Sequence, residues 1–231
     1  MKFKYLIISA LLFCSISASA QYREFVHGSK VGPAWHWMSS GDESTAGNHM
    51  MVGSGVGYIL EWYFVENMAL TSGMTYKYMR QDYDFKAKRS ILEGTMPDYL
   101  VDVNRDLKAT YLCVPAMFKF KALELGPCQL YAQAGVDIEF RTKATARDEY
   151  VIGVYHHKDE DFHDVKDDYR FIRSSLEVAL GAEYEVQRQL KVFGHLVYNR
   201  ALSNMTSISY SKNGGPALFP QYFAVEIGIC Y

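Results

Sequence analysis

Side chains of opposite character alternate at every second position through most of this chain, a period that admits a strand and refuses a helix. The last ten residues show it most plainly. Phe223, Val225, Ile227, Ile229 and Tyr231 make one face, and Tyr222, Ala224, Glu226, Gly228 and Cys230 make the other. The first face is wholly apolar or aromatic. The second is small, polar or charged. On a helix, charges at every second position would ring the cylinder and leave no apolar stripe.

The same alternation recurs in seven upstream segments: 31–38, 52–64, 70–78, 111–121, 130–141, 172–185 and, less cleanly, 190 to about 202. The connections between them follow a parity. After the second, fourth and sixth segments they are short: Glu66-Asn67, 122–127 and 187–189. After the first, third, fifth and seventh they are long and polar: 39–50, 83–106, 144–169 and 204–220. A soluble β-sandwich also alternates, but nothing obliges it to keep short and long connections on opposite sides.

The pattern therefore predicts an all-β fold, a closed antiparallel transmembrane β-barrel of about eight strands. It would have short periplasmic turns and long extracellular loops, with both termini in the periplasm. Closure is obligatory, because unpaired edge amides in hydrocarbon cost several kcal/mol each. The apolar face should meet lipid and the polar face the interior. Tyr58, Trp62, Phe64, Tyr78 and Tyr184 are expected in interfacial girdles, and Pro115, lacking a ladder donor, should kink or bulge the wall.

The N-terminus supplies a route to such a membrane. Lys2 and Lys4 precede an apolar run over 5–16, and Ala18-Ser19-Ala20 offers small residues for cleavage. That run is shorter than the ~20 residues a spanning helix needs. Residues 1–20 are expected to be a signal peptide and 21–231 the barrel domain. Phe13, bulky before Cys14, opposes a lipoprotein signal. The formal charge of −2 excludes the basic footprint of a nucleic-acid binder. Eighteen tyrosines with no long apolar run suit a membrane barrel. Cys113, Cys128 and Cys230 remain after cleavage, an odd number, and no intrachain disulfide is expected among them.

Several stretches carry a further likeness. "LKATYLCVPAMFKFK" (107–121) and "YAQAGV" (131–136) are followed by "LEVALGAEYEV" (176–186) and "HLVYNRALSNM" (195–205). Together they resemble the PorT-like outer-membrane β-barrel family of Bacteroidota, with its Tyr-Leu-x-x-Pro strand and its Gly-x-Glu-Tyr hairpin. The resemblance spans essentially the whole mature chain. It implies an outer-membrane barrel and carries no catalytic residue across; one class of members takes part in protein secretion.

The predicted interior face holds Glu61, Lys77, Lys119, Lys121, Asp137, Glu139, Arg141, Arg173, Glu177, Glu183, Glu185 and Glu226. An eight-stranded lumen is only wide enough for side chains to fill, so these charges must pair. Asp137/Glu139 and Glu183/Glu185 merely alternate along single strands and do not form an acid/base dyad. His195, read as the one histidine inside a strand, is a candidate base for a lipid hydrolase with Ser203 or Ser207. Eight or more strand residues intervene, about 25 Å at ~3.3 Å each.

Loop 144–169 contains His156, His157, Asp159, Glu160, Asp161, His163 and Asp164, without a recognised metal-ligand spacing. No phosphate-binding, dinucleotide-binding, nucleophile-elbow or zinc-finger motif occurs. The expectation is accordingly a non-enzymatic outer-membrane protein, structural or surface-interacting, with no catalytic, cofactor-binding or metal residues and no cofactor. Its partners would be outer-membrane lipid, the barrel-assembly machinery through the C-terminal strand, and an unidentified extracellular or secretion partner. The rivals are a lipid-modifying enzyme and a narrow pore. Leu176→Arg, on the lipid face, should harm folding more than Glu177→Gln beside it.

Overall fold

The computed structural model describes residues 24–40, 46–88, 100–152, 155–187, 190–207 and 216–231. The expected signal peptide lies outside them. In chain order the strands are β1 (Glu24–Ser40), β2 (Ala46–His49), β3 (Met51–Val65), β4 (Met68–Lys88), β5 (Leu100–Leu125) and β6 (Cys128–Ile152). They continue with β7 (Tyr155–Lys158), β8 (His163–Asp164), β9 (Ile172–Gln187), β10 (Leu190–Ala201) and β11 (Leu218–Cys230). Eight of them make the wall in the order β1-β3-β4-β5-β6-β9-β10-β11, every neighbour antiparallel.

β11 then pairs with β1, Val31 opposite Ile227, and the barrel closes. His27 and Tyr231 exchange backbone hydrogen bonds of 3.0 and 2.8 Å, so pairing runs to the last residue. The β1–β11 ladder covers that seam except at Gly32 and Pro33, and Pro33 has no amide hydrogen to leave unpaired. The short β2 pairs with β4, while β7 and β8 pair with β6.

All eight predicted segments are wall strands, and the Glu66-Asn67 turn falls between Val65 and Met68 as expected. The second turn is tighter than its predicted span, with only Gly126 and Pro127 between β5 and β6. The larger correction concerns the loops. β4, β5 and β6 run 21, 26 and 25 residues, against 12 and 13 for β10 and β11. Much of 83–106 and 144–169, expected as exposed loop, is therefore tall wall.

The reason lies in a change of phase along each strand. On β4 the outward residues Leu70, Met74 and Tyr76 are apolar and exposed, whereas Ala69, Thr71, Thr75 and Lys77 point inward. Beyond Tyr78 the pattern inverts. Arg80, Asp82 and Asp84 now face out, and Met79, Tyr83 and Phe85 are buried at 1%, 0% and 3% exposure. β5 does the same, with Phe118 and Phe120 outward below and Val101, Val103 and Leu107 inward above.

The lower part is thus apolar outside and polar inside, as a bilayer demands. The upper part is the reverse, as water demands. Met205 and Leu218, from the predicted loop 204–220, also belong to this upper core, together with Tyr111 and Tyr169. Burying such side chains contributes roughly 1.5–3 kcal/mol each where the outside is aqueous. β6 keeps pace by a bulge: Thr110 opposes Lys143 and Tyr111 opposes Arg141. Thr142 is the extra residue, and its hydroxyl donates to the Thr110 carbonyl at 3.0 Å. The bulge moves the inward set from Asp137 and Glu139 to Ala144 and Ala146.

Pro115 interrupts the β4–β5 ladder between the pairs Thr71–Met117 and Thr75–Cys113 without shifting register, so it makes a gap and not a bulge. Opposite that gap Gly73 adopts φ +143°, a region disfavoured for L side chains, and a Cβ there would lie 2.1 Å from the Tyr58 carbonyl oxygen. Gly73→Ala should therefore lower stability by about 1–3 kcal/mol in a urea titration of the folded barrel. A neutral result would show that the wall can relax there.

Candidate functional site

The interior charges sort into tiers. Nearest the short turns, Lys119 pairs with Glu61 at 2.7 Å and with Glu183, while Lys121 reaches Glu183 at 3.6 Å. The Tyr63 hydroxyl donates to Glu61 at 2.7 Å, and the Lys119 ammonium lies 4.3 Å from the Tyr131 ring centroid. Half-way up, Glu226 accepts from Lys30 at 2.8 Å and contacts His195 Nε2 at 2.7 Å; His195 Nδ1 is 3.0 Å from the Tyr131 hydroxyl.

The third tier centres on Glu139, fully buried, which accepts from Arg173, from Lys77 at 3.1 Å and from the Ser175 hydroxyl at 3.3 Å. Lys77 also donates to the Tyr222 hydroxyl at 2.7 Å, and that hydroxyl donates to Glu177 at 2.9 Å. Above it sits the apolar plug. The plug is crossed by Arg105, which grips Asp148 through two nitrogens at 2.7 and 2.6 Å and Asp168 through a third at 2.8 Å. Tyr83 and Tyr169 hydroxyls meet at 2.5 Å. Arg105 thereby fastens the β6–β9 connection across the mouth of the barrel.

Ten of the twelve predicted interior charges are buried in this network. Arg141 is half-buried at the Thr142 bulge, and Glu185 is exposed beside the β9–β10 turn, below the level the wall encloses. Lys30 belongs to the network although it lies one residue before the predicted first segment, 31–38. His36 was also missed: it lies in β1, wholly buried, with neither ring nitrogen hydrogen-bonded and its ring 5.1 Å from that of Tyr222. Trp35 and Trp37 on either side give it away, since outward neighbours put it inward.

His195 approaches no predicted serine. Its partners are Tyr131 and Glu226, and Ser203 instead accepts the backbone N–H of Ser174 at 3.0 Å. The chain Tyr131–His195–Glu226–Lys30 could pass a proton, but the cavity it lines is about 20 Å³, with room for a water and not for a substrate. Cys113, Cys128 and Cys230 are free.

On the outside, aromatic side chains gather at two levels. Phe25, Trp62, Phe64 and Phe118 adjoin one another near the short turns, and Trp37, Tyr198 and Phe223 near the long connections. Trp62, Phe64 and Tyr184 fit the first girdle, and Tyr78 stands where polarity inverts. Tyr58 is mid-wall, opposite Met74, not at an interface.

No curated protein matches the chain. Among solved structures, Neisserial surface protein A is similar over 90% of this chain and 98% of its own, with 11% identity and TM-score 0.44. OprG from Pseudomonas aeruginosa is similar over 91% and 96%, with 12% identity and TM-score 0.40. The outer membrane protease OmpT from Escherichia coli is similar over 92% and 99%, with 11% identity and TM-score 0.38. Likeness at that level transfers nothing about activity. A family model described as an outer membrane protein beta-barrel domain, however, matches residues 20–207, most of the chain. With its closed eight-stranded wall and external apolar band, this chain belongs to the outer membrane beta-barrel domain family.

Proposed function

We propose that the protein is a sealed, non-enzymatic barrel that serves the outer membrane as a structural or docking element, with the tall β4–β5–β6 wall as its contact surface. The observation that carries this reading is the double closure of the lumen. A pore needs a continuous polar path, and here the paired charges around Glu139 sit directly beneath the apolar plug of Tyr83, Leu107 and Tyr111. An enzyme needs a reachable pocket, and the buried His195 cluster lines only its small cavity.

Residues 1–20 act in this proposal as the export signal, with the short turns periplasmic and the tall wall outside the cell. The terminal strand ending at Tyr231 would be read by the assembly machinery. The PorT-like motifs support an accessory role in secretion, with an unidentified partner at the wall.

Purified full chain in a planar lipid bilayer should give no conductance steps above the protein-free background. Sustained steps would favour the pore. Lipid profiles of a deletion strain should match the parent; a lost or gained lipid species would favour the enzyme. Crosslinking at the cell surface followed by pull-down would identify the partner.

A further inference from the structure

Metal-ligating side chains meet on the upper rim, where β7 and β8 lie against β6. Asp159 is at the centre. Its Oδ1 is 3.1 Å from His157 Nε2, and its Oδ2 is 3.3 Å from His163 Nδ1. A carboxylate oxygen of Asp148, one of Asp159 and a ring nitrogen of His163 all lie within 4.8 Å of one another. We propose that Asp148, Asp159 and His163, with His157 turning in as a further donor, form a binding site for a zinc-type divalent ion.

The donor set suits that class of ion: imidazole nitrogen with carboxylate oxygen is borderline chemistry, softer than a calcium site and harder than a thiolate one. Spacing suits it as well. Ligands about 2.0–2.1 Å from a tetrahedral centre stand roughly 3.3 Å apart; the His163–Asp159 contact is 3.3 Å, and the three donors lie within 4.8 Å of one another. Charge favours a dication, since Arg105 pairs with Asp148 and Asp168 while the Asp159 carboxylate is met by His157 and His163. The Asp148 backbone N–H donates to Asp159 at 3.1 Å and holds that carboxylate against β6.

The site is both pre-positioned and open. β7 sets His157 opposite Tyr150, on whose ring it stacks at 4.7 Å, and β8 sets His163 opposite Ala146. The side chains of His157 and His163 are about half exposed, so an ion can enter from solvent. Linear spacing concealed the arrangement because Asp148 comes from β6, across the ladder from the loop. An ion here would tie 157–163 to the wall and steady the rim.

The test is calorimetric titration of zinc chloride into the untagged full chain, stripped with EDTA and held in detergent micelles. One zinc per chain is expected. His163→Ala and Asp159→Asn should each weaken binding about tenfold or more, and His156→Ala, which removes a contact to Glu149 outside the cluster, should leave it unchanged. His163→Gln, read the same way, serves if the alanine variant does not fold. No binding by the wild type, or equal binding by the His163 and Asp159 variants, would overturn the site.

Discussion

Glu139→Ala is expected to destabilise the barrel by about 3–5 kcal/mol, the cost of breaking a buried ion pair from one side. Among the described residues Glu139 is the carboxylate in hydrogen-bond contact with Arg173, whose other close contacts in the lumen are the Tyr111 ring, 4.0 Å away, and the sulfurs of Met205 and Met79. Removing it strands a guanidinium at 4% exposure and takes from Lys77 its nearer acid; the remaining one, Asp137, is 3.5 Å away. A urea titration read by heat-modifiability gels would measure the loss. Replacing both partners, Glu139→Leu with Arg173→Met, should recover most of it, because an apolar pair leaves no orphan charge. A single variant within 1 kcal/mol of wild type would mean that the network contributes little.

The second large effect is expected at Leu180→Arg, at roughly 2–4 kcal/mol. Leu180 is 62% exposed at the middle of the apolar band and pairs across β10 with Leu196, 64% exposed. Leu176, chosen on sequence grounds for the same probe, turns out to sit opposite the exposed Arg200 near the upper edge. Arginine there should cost less, since the penalty falls toward ~0–1 kcal/mol at the interface. Glu177→Gln should be mild, because the amide oxygen still accepts from Tyr222 and Asn199. The same gels would rank the three. Equal tolerance of Leu180→Arg and Glu177→Gln would mean that the two faces are reversed.

The wall was legible wherever one solvent acted on a whole strand. From Leu70 to Tyr78 the apolar residues keep one parity, and period two is plain. Past Tyr78 the environment outside the wall changes, so Tyr83 and Phe85 take the opposite parity while the strand continues unbroken. A change of phase looks like the end of a pattern, so the upper wall has the sequence signature of a loop. On β6 the extra residue Thr142 adds a second slip.

The lumen was legible in part for a related reason. Alternation says which charges point inward, but which of them meet is fixed by register between strands. Lys77 on β4 finds Glu139 on β6 across an intervening strand, and no linear spacing encodes that. The rim cluster of Asp148, Asp159 and His163 depends on strand pairing in the same way. His36 and Lys30 were different. Parity alone places them inside, because the alternation in β1 extends down to Lys30 and through both tryptophans.

The reversal at Tyr78–Arg80 acts as a waterline painted on the hull. Pushing the molecule deeper would drown Arg80 and Asp82 in oil, and lifting it would strand Met74 and Tyr76 in water. Vertical freedom is therefore small, and whatever meets the tall side does so at a height that the strand itself has already set.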